Sequence, residues 1–171
     1  MNGKFKDAKL EADYEKYIKR KNKEGKTPRT REDWKETRDY WLNDSPMARG
    51  NKFNKTAEKN KWYKYYEVNL ENGKRLDSYD PVKKEIISRK ATDLSDIDIS
   101  TFEKYLKELD NKYKPGTKIR SNKYPKIDGQ VLEGKYVLEI PDSNRAYSDI
   151  DKYVKLAKEK YNVEIRFRSE E

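Results

Sequence analysis

The spacing of apolar residues changes near residue 66, and this change constrains the fold more than any other feature of the sequence. Before it, apolar side chains recur at helical spacing, which predicts helices over residues 4–24, from Thr30 onward, and over residues 56–66. After it, short segments with strand character alternate with turn signals. The chain is therefore predicted to begin with helices and to continue into a sheet.

Local signals predict where the first helices begin and end. Gly25 is expected to stop the first helix, and Thr30 is expected to cap the second, with Asp33 at the capping-box position. The Pro, Gly and Asn residues of segment 45–51 predict a loop before the third helix.

Three strands are predicted to follow in close succession, at residues 66–70, 74–79 and 85–90. Asn72-Gly73 tolerates positive φ and predicts a hairpin turn between the first two, and Asp80-Pro81 turns the chain again. The later elements are a helix from Ser95 or Ser100 to about Tyr113, a strand at 135–140, a helix at 148–161 and a strand at 163–167.

This order predicts an α+β (mixed α/β) fold, in which hairpins build the first part of a mixed sheet and helices connect its later strands. From residue 56 onward the order is helix, three strands, helix, strand, helix, strand. We expect a basic helical extension or linker at residues 1–55 and a main domain at residues 56–171.

The composition excludes several kinds of chemistry. The chain has no Cys and no His, which excludes disulfides, thiolate zinc sites, cysteine nucleophiles and imidazole catalysis. Any metal ligands would be oxygens, which suit Mg²⁺, Mn²⁺ or Ca²⁺. The formal net charge of +9 favours polyanionic partners such as DNA, RNA, an anionic membrane or an acidic protein. No apolar run approaches the length of a membrane span.

Asp77 and the segment Ser88-Arg89-Lys90 form the main candidate for a chemical site. Side chains alternate along a strand, so Ser88 and Lys90 are expected to point the same way, toward Asp77 across the strand pair, and Arg89 toward the surface. A carboxylate that holds Mg²⁺ and an ammonium that neutralises developing charge suit phosphodiester cleavage. A cross-strand ion pair on a solvated face is the alternative.

These residues resemble the PD-(D/E)xK nucleases, in which an acidic strand residue precedes a short strand ending in (Asp/Glu)-x-Lys, in the order helix, three strands, helix, strand. Four runs are also similar to restriction-endonuclease-fold toxin domains: Arg75-Leu76-Asp77-Ser78-Tyr79-Asp80, Glu85-Ile86-Ile87-Ser88-Arg89-Lys90, Lys112-Tyr113-Lys114-Pro115-Gly116-Thr117 and Leu138-Glu139-Ile140-Pro141. The whole chain resembles the C-terminal part of LXG-type bacterial polymorphic toxins, most closely over about residues 60–170.

The resemblance implies a restriction-endonuclease-like core and a nuclease that cleaves DNA rather than RNA, with Mg²⁺ or Mn²⁺ as cofactor. It also implies secretion by the producing bacterium through the type VII machinery, by way of a part of the protein N-terminal to this chain. The domain would then act in the cytoplasm of the target cell. A cognate immunity protein would neutralise it, and we expect that partner to be acidic because an acidic surface blocks a basic cleft.

Ser88 departs from the family pattern because it stands where the motif has Asp or Glu. Another residue is therefore expected to supply the second carboxylate. The three candidates, in order of preference, are Glu67, Glu139 and Glu85. The resemblance suggests that Glu67 leans over the site, and Glu139 lies in an apolar strand where it must be paired or bound to an ion. The predicted catalytic residues are Asp77, Ser88, Lys90, Glu67 and Glu139, with Asp77, Glu67 and Glu139 as metal ligands.

Two other functions stay open at this point. One is a metal-independent ribonuclease, which without His needs Glu, Lys, Tyr or Arg for proton transfer. The other is a non-catalytic nucleic-acid-binding module. The aromatic residues that such a module would stack against bases recur at helical spacing, which favours helix packing for them: Trp34, Tyr40, Trp41, Trp62 and Tyr63.

Overall fold

Helices and one five-stranded sheet make up the computed structural model, which describes residues 3–171 and confirms the predicted mixed α+β class. The chain divides into two compact units, one that ends at Arg49 and one that spans Gly50–Glu171. Among the described residues, no helix has the length and apolar composition that crossing a membrane requires.

The first unit contains helices α1 (Ala8–Lys23) and α2 (Arg31–Asp39), followed by a π-helical turn at Tyr40–Asp44. The predicted cap is confirmed, because the Thr30 hydroxyl accepts a hydrogen bond from the Asp33 backbone N–H at 3.3 Å. The predicted stop is also confirmed, since α1 ends at Lys23, two residues before Gly25, which has φ +72°.

Aromatic side chains form the core of the first unit. Neighbouring rings have centroids 5.2 to 6.0 Å apart, and they belong to Phe5, which precedes α1, to Tyr14 and Tyr17 of α1, and to Trp34 of α2. A bidentate ion pair joins the two helices, with Arg31 nitrogens 2.8 Å from both carboxylate oxygens of Glu11. This guanidinium lowers the pKa of Glu11 to about 2.

Helix α3 spans Pro46–Lys59, so the predicted loop at 45–51 is wrong, and the third helix begins and ends earlier than the predicted 56–66. Ser45 and Pro46 are the reason. The Ser45 hydroxyl accepts a hydrogen bond from the Ala48 N–H at 3.1 Å, and Pro46 occupies the first helical position, where its missing N–H costs nothing. A Ser-Pro pair that suggests a loop is here the start of a helix.

The five strands lie in chain order across the sheet: β1 (Tyr65–Asn69), β2 (Arg75–Asp80), β3 (Glu85–Arg89), β4 (Lys135–Pro141) and β5 (Val163–Arg168). The first three are antiparallel neighbours, and β3, β4 and β5 are parallel. Parallel neighbours need crossover connections, and helices α4 (Ile99–Lys112) and α5 (Ile150–Tyr161) provide them. The predicted mixed sheet is thus confirmed.

Gly134 permits the close approach of β4 to the turn before β3. Its φ is +125°, and a Cβ atom at this position would lie 1.9 Å from the Lys84 carbonyl oxygen. Without that atom, the Lys135 N–H donates to the same carbonyl at 3.0 Å.

The two faces of the sheet differ in chemistry. One face packs against α4 and α5 and carries the main apolar core, which includes Leu76, Ile86 and Leu138. The other carries a smaller apolar cluster that includes Ala57 of α3, Ile87 and Val137. We refer to these as the α4 face and the α3 face.

Candidate active site

A polar cavity of about 300 Å³ lies where α3 meets the first three strands, within the second unit. Three carboxylates, three cations, two amides and one phenol line it: Asn51, Asn54, Lys55, Glu58, Tyr66, Glu67, Arg75, Asp77 and Arg89. Two of the predicted site residues, Asp77 and Glu67, are therefore brought together.

The backbone of Glu67 is left-handed, with φ +48° in the middle of β1. Its paired neighbours Tyr66 and Val68 lie opposite Ser78 and Leu76, so Glu67 lies opposite Asp77. A left-handed backbone costs a residue other than glycine on the order of 1–3 kcal/mol, and such strain concentrates at functional sites. Strain and a polar cavity therefore coincide at one position.

The Asp77 carboxylate is partly buried and held by the neighbouring strand. Its Oδ2 atom accepts a hydrogen bond from the backbone N–H of Arg89 at 2.7 Å. Burial raises the pKa of Asp77, and that hydrogen bond and the positive charges of Arg89 and Lys90 oppose the rise. A carboxyl with a perturbed pKa in a cavity is a candidate for a functional site.

Arg89 is buried, so the expectation that it lies at the surface is wrong. Its side chain is 1% exposed, and its Nε atom lies 2.8 Å from Glu139 Oε2. Its terminal nitrogens donate to Asn54 Oδ1 at 3.0 Å and to Ser78 Oγ at 2.9 Å. The side chains of Arg89 and Lys90 do lie on opposite faces of the sheet, as predicted, but Arg89 packs on the α3 face and is not exposed to solvent.

Glu139 is fully buried in an ion-pair network on the same face. Its Oε1 atom accepts from the Tyr63 hydroxyl at 2.7 Å and from Arg168 Nε at 2.9 Å, and its Oε2 atom accepts from Arg89. Two arginines and a phenol thus satisfy both oxygens, so its burial is explained by pairing. Glu139 does not line the cavity.

Glu85 lies at the opposite end of β3 and binds Arg166 through both of its carboxylate oxygens, at 2.9 and 2.6 Å. The Arg166 guanidinium lowers the pKa of Glu85. Like Glu139, this carboxylate is committed to a structural pair.

Ser88 and Lys90 lie on the α4 face. Ser88 is buried beside Leu138 of the main core, and the Lys90 ammonium lies 3.0 Å from Glu108 Oε2 and 5.3 Å from the ring centre of Tyr105. The structure therefore does not bring them to the cavity that holds Asp77.

An irregularity in β2 explains this separation. Leu76 and Tyr79 both belong to the main core, although regular alternation would put residues three apart on opposite faces. Because of this irregularity, the Asp77 side chain lies on the α3 face, and the residue opposite it on β1 is the left-handed Glu67. The sequence prediction assumed regular alternation and so joined Asp77 to Ser88 and Lys90.

The polar residues of α3 were missed because the helix begins ten residues earlier than predicted. Once Ser45-Pro46 is taken as its start, the spacing i, i+3, i+4, i+7 puts four polar side chains on one face of the helix. They are Asn51, Asn54, Lys55 and Glu58, and all four line the cavity.

The donor set of the cavity suits a hard cation. Carboxylates of Asp77, Glu67 and Glu58 line it, and Mg²⁺ is usually held by one or two carboxylates and completes its shell with water and substrate phosphate. Within residues 3–171, no group of three Asp and Glu side chains is close enough to form a metal-binding cluster. A pair of carboxylates is the arrangement that fits.

The raised pKa of Asp77 predicts that Asp77→Asn stabilises the folded protein at neutral pH. Below the ordinary pKa of an aspartate, Asp77 is protonated in both states and the two proteins should be equally stable. As pH rises, the unfolded state ionises first, so the wild type loses stability relative to the variant until the raised pKa is passed. Urea unfolding from acid to neutral pH measures this difference, and a variant that is less stable at neutral pH would contradict it.

The cavity combines a glutamate with a left-handed backbone, a partly buried aspartate with a raised pKa, and cations on three elements. Comparison of the chain with family models, with curated proteins and with solved structures gives no match.

Proposed function

We propose that this chain is a metal-dependent nuclease that cleaves phosphodiester bonds of DNA. One observation carries the proposal, namely that Asp77 and Glu67 share a cavity with Arg75 and Lys55. Phosphodiester cleavage needs both a carboxylate pair for a divalent cation and positive groups for the phosphate. The net charge of +9 supports a polyanionic substrate.

Each group has a role in this proposal. Asp77 and Glu67 would hold Mg²⁺ or Mn²⁺, which supplies polarisation of the phosphate and a water of lowered pKa. Arg75 and Lys55 would bind the phosphate oxygens. They would thus neutralise the developing negative charge, which is the role that the sequence predicted for Lys90. Arg89 positions Asp77 through its backbone N–H.

The element order supports a restriction-endonuclease-like core. From α3 onward it runs helix, three strands, helix, strand, which is the order that the resemblance implies. The same resemblance supports the wider proposal of an LXG-type toxin that is secreted through the type VII machinery, acts in the cytoplasm of a target cell and is neutralised by an acidic immunity protein.

Incubation of the purified chain with plasmid DNA and with RNA, each with Mg²⁺ and with EDTA, tests the proposal. We expect DNA degradation with Mg²⁺ and none with EDTA, because in this proposal the bound ion polarises the phosphate and lowers the pKa of the attacking water. Intact DNA under every condition, with the protein shown to be folded, would reject nuclease activity.

A metal-independent ribonuclease is the second candidate, favoured by the raised pKa of Asp77. A carboxyl with such a pKa is suited to proton transfer in a chain without His, and Arg75 beside it would bind the phosphate. RNA cleavage in EDTA that is lost in Asp77→Asn would support this candidate in place of the first.

A further inference from the structure

A second cavity, of about 260 Å³, lies within the first unit, and every charged residue that lines it is a cation. The four are Arg20, Lys21, Arg29 and Arg38. Their neighbouring acids are held loosely, since Arg38 lies 3.8 Å from Asp13 and Lys21 lies 3.6 Å from Glu24. Such long, partly exposed pairs contribute little, so the cavity presents net positive charge.

Aromatic rings form the rest of this cavity. Tyr17 and Trp34 are stacked, with ring centres 6.0 Å apart and planes at 14°, and both belong to the core of the unit. Trp41 differs because it is 55% exposed and contacts the ring of Tyr40 edge to face. An indole exposed to this extent beside four cations contributes little to the apolar core of the unit.

The backbone that carries Trp41 is unusual as well. Tyr40–Asp44 forms a π-helical turn, a rare conformation that is frequently found at functional sites. The turn places Trp41 on the rim of the cavity, where helical spacing had suggested a packing role. Trp34 fits the packing interpretation and Trp41 does not.

We propose that this cavity binds single-stranded nucleic acid, with an unpaired base stacked on Trp41 and the adjacent phosphates held by Arg20 and Arg38. Cationic grooves with exposed aromatic platforms bind single strands, because every base has a π-face and the backbone carries one charge per nucleotide. An acidic protein satisfies the cations but has no base for the indole. The site is separate from the proposed cleavage cavity and does not depend on nuclease activity.

Binding of a fluorescent oligothymidine to the full chain in EDTA tests the stacking contact without metal-dependent cleavage. We expect Trp41→Ala to weaken binding by about tenfold, and Trp41→Phe, which keeps a ring, to retain most of the affinity. Leu42→Ala is the matched control, because Leu42 is the next residue of the same turn and is 57% exposed.

The phosphate contacts are tested by the dependence of affinity on salt. Arg20→Gln and Arg38→Gln should each reduce the slope of log affinity against log salt by about one. Lys19→Gln removes the same charge from an exposed neighbour of Arg20 that does not line the cavity, and it should have a smaller effect.

Three results would overturn the inference: equal affinity for an abasic oligomer, equal affinity for polyglutamate or anionic vesicles, or equal effects of Trp41→Ala and Leu42→Ala. Cleavage of DNA with Mg²⁺ by a chain that fails the binding test would reject this inference alone. Binding in EDTA by a chain that never cleaves would reject the nuclease proposal alone.

Discussion

Asp77→Asn should lower the rate of Mg²⁺-dependent DNA cleavage by about a thousandfold, because stabilisation of developing charge by a bound ion is worth several kcal/mol. The amide keeps the size of the carboxylate and can still accept the Arg89 N–H, but it removes the negative charge that would hold the cation. Initial rates of plasmid cleavage at saturating Mg²⁺ measure the effect.

Asp80→Asn is the matched control for this experiment. Asp80 is on the same strand, but its carboxylate accepts turn hydrogen bonds from the N–H groups of Val82 and Lys83 and does not line the cavity. Its rate should stay near that of the wild type. A rate for Asp77→Asn that matches the control would remove Asp77 from the site. Unfolding does not explain a loss of activity if the variant is also more stable at neutral pH.

Glu139→Ala should lower the free energy of unfolding by about 3–5 kcal/mol, because it leaves the buried Arg89 guanidinium and the partly buried Arg168 without their common anion. Arg89 and Arg168 both lie within 2.9 Å of Glu139, and the Arg89 side chain has almost no access to water. Urea unfolding followed by circular dichroism gives the difference.

Glu133→Ala provides the comparison for a surface pair. Glu133 lies 3.7 Å from Lys84 with both side chains more than half exposed, so its loss should cost less than about 1 kcal/mol. A Glu139→Ala variant as stable as Glu133→Ala would show that the network contributes little and that burial of this glutamate has another cause.

Elements with strong local signals were predicted well from the sequence. Asn72-Gly73 forms the predicted hairpin turn, with Gly73 at φ +82°, and the strands around it fall within one residue of their predicted ends. Helix α3 was misplaced because Ser45-Pro46 fits both a loop and a helix start, and only the hydrogen bond from Ala48 N–H decides between them.

The candidate site was predicted only in part, because it depends on contacts between distant residues. Asp77 and Glu67 do share a cavity. The assignment of Ser88 and Lys90 to the same place relied on regular alternation, which the left-handed backbone at Glu67 and the irregular β2 interrupt. The hydrogen-bonded ion pair between Arg89 and Glu139 joins residues 50 positions apart, and no local sequence pattern indicates such a contact.

Arg89 contacts Asp77 through its main chain and Glu139 through its side chain. The first contact is available to any residue with an N–H group, whereas the second requires a guanidinium or a coordinated change on β4. Divergent sequences with this fold should therefore exchange positions 89 and 139 as a covarying pair. The acidic residue at position 77 should be inherited independently of that exchange.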